Sequence, residues 1–360
     1  MPPLPVISGL PRRHFLLAAG LMGLAEAGPA YALPPKVLQF PRDFGSHPDF
    51  KTEWWYITGH ATSGAREFGF QLTFFRSRVE AAQGMASKFA ARQLIFAHAA
   101  ITDVQGNKLW HDQRIAREGF DIATASPQGM SIKLRDWTLQ SNGNTHSANL
   151  PATDFALKLQ LTDTQPVLLQ GNRGLSRKGP DVKQASYYYS LPQLATRGTL
   201  QIKNQTFEVT GKAWLDHEWS QEVLHPSAVG WDWIGMNLDD GSALTAFRLR
   251  DKEGNAIWDG GSFRPAKGEA YSFSRGEVVF SPQRRWKSPL SKASYPVEWI
   301  VRTPADFYTV RAVIDNQELD SRQSTGAIYW EGLSELIDSN GKRVGRGYLE
   351  MTGYAAVLRM

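Results

Sequence analysis

The sequence predicts an all-β protein, a barrel or a sandwich, behind an N-terminal export signal. Three observations carry this prediction. Apolar residues alternate along short runs. The runs are separated by turns rich in Gly, Asn and Asp. No long stretch after the signal repeats with a 3.6-residue period. Composition agrees, because 360 residues include 12 Trp, 11 Tyr, 18 Phe, 32 Gly and 20 Pro. Aromatics suit strands, and Gly and Pro suit the turns between them. The length is enough for two sizeable cores.

The chain opens with a segment ending in Pro11-Arg12-Arg13, followed by an apolar run from Phe15 to Ala25. That run is well short of the roughly 20 residues a transmembrane helix needs. It fits the apolar part of a signal peptide, with Ala30-Tyr31-Ala32 as the cleavage pattern and Ala25-Glu26-Ala27 as a second candidate. Paired arginines ahead of Phe15-Leu16 read as a twin-arginine signal, with a general secretory signal as the alternative. The mature chain then runs from Leu33 to Met360 and is expected to be periplasmic or secreted. No later segment is apolar enough to span a membrane.

Several function classes are excluded at once. Zero cysteines rule out disulfides, zinc–thiolate sites, iron–sulfur clusters and cysteine nucleophiles. The net charge of +5 comes without a run of like charges, so no nucleic-acid arm is read. No Walker loop, His-Glu-x-x-His site or Gly-x-Ser-x-Gly elbow is present. The eight histidines are scattered, and neither a metal site nor a cofactor is expected.

Strands follow from alternation. Phe68, Phe70, Leu72 and Phe74 share one face of an extended run, as do Phe155, Leu157, Leu159 and Leu161. In 131–139 the apolar face changes at Asp136, which predicts a bulge. Turns are read at Thr62-Ser63-Gly64, Asp239-Asp240-Gly241 and Ser339-Asn340-Gly341. Gly171 to Lys183 and residues 77–92 read as longer loops, either solvated or lids over an interior, the second with room for a short helix. A weak repeat is also visible. Glu53-Trp54-Trp55-Tyr56-Ile57 opens a hairpin returning through Phe70 to Arg76, and Trp231-Asp232-Trp233-Ile234 opens another returning through Leu244 to Arg250. Two stacked copies of one β domain would give this pattern, and so would coincidence between two hairpins.

The densest polar segment is Gly211 to Trp219. Strand alternation puts Trp214, Asp216 and Glu218 on one face and Leu215, His217 and Trp219 on the other. Charged residues in an aromatic strand either face a polar pocket or cap a turn at a domain junction. A carboxylate beside an aromatic recurs at Glu53-Trp54-Trp55-Tyr56, Trp231-Asp232-Trp233, Tyr329-Trp330-Glu331 and Tyr348-Leu349-Glu350. These aromatics read either as core or as the wall of a binding site.

In order along the chain stand His47-Pro48, Glu53-Trp-Trp-Tyr-x-Thr-Gly59, Tyr187-Tyr-Tyr-Ser-x-Pro192, Gly198-Thr-Leu200, Gly211-x-Ala-Trp-Leu-Asp-His-Glu-Trp-Ser220, Gly230-Trp-Asp-Trp233, Tyr329-Trp-Glu-Gly332 and Gly345-Arg-Gly-Tyr-Leu-Glu-Met-Thr-Gly-Tyr354. This series resembles the secreted AttH-like proteins of the carotenoid 1,2-hydratase (hydroxyneurosporene synthase) superfamily, across nearly all of the mature chain. The resemblance implies a signal peptide over 1–32 and two tandem lipocalin-like antiparallel β-barrel domains, 33–222 and 223–360. It implies a pocket for a hydrophobic, isoprenoid- or lipid-like molecule. On this reading the protein is a cofactor-free hydro-lyase adding water to a C=C bond. The His-x-aromatic pair implicated in the carotenoid hydratases is matched by His217 and Trp219. The Tyr and Asp implicated further along would fall near Leu244 to Phe247, where this sequence has neither. An alternative keeps fold and pocket without chemistry: an envelope carrier that takes a lipid from the membrane or from an envelope transporter. A secreted hydrolase, as such proteins are sometimes labelled, is a third reading.

On the hydratase reading, Asp216 or Glu218 supplies the proton and His217 takes one from the attacking water. Trp214, Trp219 and Trp231 face the carbocation, each contact contributing about 0.5–2 kcal/mol. Glu53, Trp55, Tyr56, Asp232 and Trp233 complete the expected binding residues.

Overall fold

Alternation is realised as strands. In Phe155–Thr162 the four apolar side chains are buried, and the residues between them are half-buried or exposed. The computed structural model describes residues 33–222 and 224–358. The expected signal peptide, 1–32, lies outside the described residues. The fold is all-β, built on two large antiparallel sheets.

The first sheet runs in the order Lys108–Arg117, Gln93–Asp103, Arg66–Arg78, Thr52–Ser63, Gln205–Glu222, Ala185–Ile202, Phe155–Thr162, Thr145–Pro151, Trp137–Asn142, Ser131–Leu134, Ala123–Ala125. It curls into a nearly closed barrel. Arg114, on one edge strand, pairs with Asp136 in the hairpin turn near the other edge and lies 4.5 Å over the Trp137 ring. Trp55, Phe70, Leu72, Leu157 and Trp219 fill the interior. The second sheet runs Tyr271–Phe273, Ala256–Arg264, Ala243–Arg250, Gly230–Leu238, Arg343–Met351, Ala327–Ile337, Phe307–Ala312, Glu298–Arg302, Val279–Pro282. Its core is Ile234, Met236, Trp299, Val310, Trp330 and Leu349.

The repeat read from the sequence has a counterpart in atoms. In each sheet the first strand lies between the second and the last. Glu53 stands opposite Arg76 and pairs with it at 2.7 Å; Asp232 stands opposite Arg248 and pairs at 2.8 Å. Both hairpins therefore carry an acid–arginine cross-strand pair with a buried acid near the same end. The turn at Asp239-Asp240-Gly241 forms as expected, with Gly241 at φ 92, a conformation that favours glycine.

One expectation is corrected. The face change at Asp136 is not a bulge but a tight hairpin, with Leu134 opposite Trp137. Arg135 takes φ 58 there, so the two apolar sets belong to two strands. The two loop segments also acquire detail. Glu80–Ala82 is a single 3-10 turn, and Leu175–Arg177 pairs with the 185–187 stretch.

The two sheets dock through specific polar contacts. Gln193 donates from Nε2 to the Leu238 and Ser242 carbonyls at 2.9 and 2.7 Å, and Asn237 donates to the Ala213 carbonyl at 3.0 Å. Gly69 marks a close approach. A Cβ there would sit 2.6 Å from the Tyr348 hydroxyl and 2.9 Å from the Leu333 Cβ. Among the described residues no helix is long and apolar enough to cross a membrane.

Candidate active site

Each strand has two faces, and the outer faces of the two sheets meet. From the first sheet, Trp54 stands opposite Glu218 and Tyr56 opposite Asp216 on adjacent strands. From the second, Glu350 stands between Trp233 and Glu331 on its two neighbours. Together these rows bound a cavity of about 830 Å³. Its wall is mainly apolar, with Trp54, Phe75, Phe96, Trp231, Trp233 and Phe247 in it. Four carboxyl groups face the same space: Asp216, Glu218, Glu331 and Glu350.

Burial decides how these carboxyls hold protons. Asp216 accepts from the Tyr188 hydroxyl at 2.7 Å, the Ser190 hydroxyl at 2.5 Å and Trp214 Nε1 at 2.7 Å. Loss of water outweighs these bonds and pushes its carboxyl up to about 7. Glu350 is also pushed up to about 7, by burial and by the nearby charges of Asp216 and Glu218. Glu331 is raised well above the carboxylate range by burial and by Glu350 on the adjacent strand. Like charges directly opposite on a sheet repel, so the pair retains a proton. Glu331 Oε1 and the Tyr56 hydroxyl are buried without a close hydrogen-bond partner among the described residues, and the Tyr56 and Tyr329 hydroxyls beside Glu331 only partly offset its rise. Glu218 differs, because Lys178 Nζ lies 3.0 Å from it and the Ser186 hydroxyl donates to it at 2.5 Å. Lys178 also sits over the Tyr188 and Phe247 rings at 4.6 and 4.4 Å. The basic loop read from the sequence thus delivers one cation into the cavity.

A further face of the same wall carries His98. Its Nδ1 is 2.8 Å from the Tyr329 hydroxyl and its Nε2 is 2.8 Å from the Ser324 hydroxyl. Burial lowers its pKa to about 3, so it is a neutral imidazole.

On the opposite face of the Thr52–Ser63 strand lies a second polar cluster, inside the first barrel. Glu53 Oε1 meets His47 Nδ1 at 2.7 Å and His217 Nε2 at 2.9 Å, while Oε2 accepts from Arg76 Nε at 2.7 Å. Trp219 stacks on His47 at 3.7 Å and Trp55 on His217 at 4.6 Å. Burial alone would raise Glu53, but the hydrogen bonds from His217 and His47 overcome it and hold the carboxylate well below its usual range. Ligand atoms of His47, Glu53 and His217 lie within 4.8 Å of one another. Two of the scattered histidines, His47 and His217, therefore do converge. Their donors are spent on one shared oxygen, and a guanidinium neutralises the other. The residues fit a hydrogen-bonded network better than a metal centre.

The family model for AttH-like proteins matches residues 31–354. The chain belongs to the AttH-like family. Among solved structures, the AttH-type protein of Nitrosomonas europaea is 45% identical, with a TM-score of 0.83, over 90% of this chain and 99% of that one. Kievitone hydratase from Nectria haematococca is similar in fold, with 14% identity and a TM-score of 0.70 over 89% of this chain and 94% of that one. CghA follows at 14% identity and a TM-score of 0.53, over 89% and 96%. No curated protein matches the chain.

In this AttH-like protein the expected site residues divide between three places. Asp216, Glu218, Tyr56, Trp231 and Trp233 reach the cavity. Trp214 lies behind Asp216 as a hydrogen-bond donor. His217, Trp219 and Trp55 face the first barrel's interior, so His217 is not placed to act as base on a molecule in the cavity, nor Trp219 as its wall. Glu53 borders the cavity, but its carboxylate points to the histidines. Asp232 is committed to Arg248, to Arg250 at 3.4 Å and to the Tyr354 hydroxyl at 2.9 Å. Sequence reasoning left Glu331, Glu350, Tyr188, Lys178 and His98 out of the site. The first two carried a visible signal, the Tyr-x-Glu spacing, but only the strand register sets them opposite each other.

Proposed function

We propose that this AttH-like protein adds water to a C=C bond of an isoprenoid- or lipid-like molecule held between the two sheets. The observation that carries the reading is the Glu331–Glu350 pair, two carboxyls directly opposite each other on adjacent strands and facing a mainly apolar cavity. Glu331 gives its proton to one alkene carbon, and the other becomes a tertiary cation. The faces of Trp54, Trp231 and Trp233 stabilise that charge, and so does Asp216 once it is ionised, above about pH 7. Water attacks the cation and loses a proton to the Glu350 carboxylate. Transfer of that proton to Glu331 resets the pair, and the net change is addition of one water. Glu331 is better placed than Asp216 as donor, because three donors hold both oxygens of Asp216 whereas Glu331 has only the Tyr56 and Tyr329 hydroxyls beside it. Kievitone hydratase, by its name, is a hydratase on a similar fold, which fits this reading. The export signal read at Arg12-Arg13 supports an activity outside the cytoplasm, and a mature N-terminus at Leu33 in the periplasmic fraction is the expected outcome.

The test is to purify the mature protein from its own cell envelope, identify the bound lipophile by native mass spectrometry, and incubate it in oxygen-18 water. One labelled water should enter the ligand with wild type, and none with Glu331→Gln, which should still bind it. A ligand that binds and never takes up label would leave the non-catalytic carrier as the function.

A further inference from the structure

The cavity wall does not end at the cavity. Leu94, Phe96 and Ile115 line it, with Phe96 opposite Ile115 and Leu94 opposite Arg117 on neighbouring strands. Residues two apart on a strand share a face, so this wall continues to Arg117 at the strand end. There the Arg117 guanidinium lies 4.1 Å over the Phe120 ring and 5.5 Å from the Phe89 ring. The two rings stack on each other at 5.3 Å and 11°.

Both rings face solvent, with Phe89 67% and Phe120 50% exposed. Met85 and Ile122, from the same two loops, and Ile115 on the wall are exposed as well. Apolar clusters of this kind are uncommon on a monomer unless they meet something. The surrounding charge says what. Glu80 and Asp121 are paired with Arg78 and Lys133. Lys88, Arg92, Arg117 and Arg135 make no ion pair among the described residues, and the remaining acid, Glu118, is half-buried with its carboxyl pushed up by burial. Exposed aromatics inside a basic collar match the interface of an anionic bilayer, where rings sit at headgroup depth and cations meet lipid phosphates.

We propose that this rim docks on an anionic phospholipid bilayer, and that the Leu94–Phe96–Ile115 face is the path by which a lipophilic molecule passes from bilayer to cavity. The passage rests on the function proposed above, whereas the docking does not.

The experiment is flotation of the mature protein with phosphatidylcholine vesicles, with and without phosphatidylglycerol, in the absence of any alkene. Wild type should float with the phosphatidylglycerol vesicles at low salt and less so at high salt. The double variant Phe89→Ser, Phe120→Ser should bind about tenfold more weakly or worse, since two buried rings are lost. Lys88→Glu, Arg92→Glu should lose the preference for phosphatidylglycerol. The folds of both variants are checked by near-ultraviolet circular dichroism, and the ring variant should keep wild-type turnover on detergent-dispersed substrate. Equal flotation of wild type and the ring variant would overturn the proposal. So would a dimer in solution that the ring variant breaks, which would make the patch a self-association surface. Docking without turnover on any alkene would instead remove the hydratase reading and leave the docking intact.

Discussion

Replacing Asp216 by Asn should make the protein more stable at alkaline pH while slowing its chemistry. Burial pushes this carboxyl from 3.8 up to about 7. The gap is roughly 3 units, and each unit corresponds to about 1.36 kcal/mol. Below pH 3.8 the group is protonated in both folded and unfolded chains, and it costs nothing. As pH rises toward 7 the unfolded chain ionises while the folded one keeps its proton, so stability falls, by about 4 kcal/mol at most, and then levels off. Asn never ionises and escapes that loss. Its carbonyl still accepts from Ser190 and Trp214, but its amide meets the Tyr188 hydroxyl, which must turn from donor to acceptor. That exchange costs about 1 kcal/mol. The variant should therefore gain about 3 kcal/mol over wild type at pH 8 and be slightly less stable at pH 4. Urea unfolding at the two pH values measures the difference. A variant whose offset from wild type is the same at both would show that Asp216 ionises normally, and the account of the cavity's electrostatics would fail with it. Above about pH 7, where Asp216 is ionised, losing its carboxylate should also slow turnover by about 10²–10³.

Glu350→Gln removes the charge that helps hold the proton on Glu331, so the Glu331 carboxyl should titrate at lower pH than in wild type, as followed by the infrared carbonyl band. Lys178→Met strips the buried Glu218 of its cation and should destabilise the protein by about 3–5 kcal/mol in urea, whereas an effect under about 1 kcal/mol would mean the pair is open to water. Glu53→Gln leaves Arg76 buried beside a neutral partner, at a cost of a similar size. Because the Glu53 carboxyl is depressed in the fold, its stabilisation is complete above its ordinary value of 4.5 and is lost as pH falls below it; the gap between this variant and wild type should narrow on acidification.

How much of this was legible follows from what is local. Alternation along Gly211 to Trp219 sorted Asp216 and Glu218 from His217 and Trp219, and the structure keeps that division. It could not tell which face met a barrel core and which met the other sheet, because both faces are aromatic. The hairpin at Arg135 was invisible because neither Arg nor Asp announces a left-handed turn as Gly does. The convergence of His47 and Glu53 on His217 depends on register between strands distant in sequence, Trp55 opposite His217, which no local pattern encodes. Glu331 and Glu350 needed a further step, the docking of the second sheet.

That docking explains why an aromatic strand carries carboxylates at all. A single sheet of this kind would leave Trp54, Tyr56, Asp216 and Glu218 facing water, where the carboxyls would ionise like any others. Two copies packed outer face to outer face bury both rows at once, and the Gly69 contact with Tyr348 and Leu333 fixes how closely they approach. The apolar wall and the retained protons are then one consequence of one event. Desolvation is the largest cause of the raised values at Asp216, Glu331 and Glu350 alike. Each sheet also carries an acid–arginine pair on the other face of its hairpin, Glu53–Arg76 in one and Asp232–Arg248 in the other. The duplicated hairpin therefore serves two ends through its two faces. The inner face carries an acid–arginine pair, and the outer face contributes half of a cavity that neither sheet forms alone.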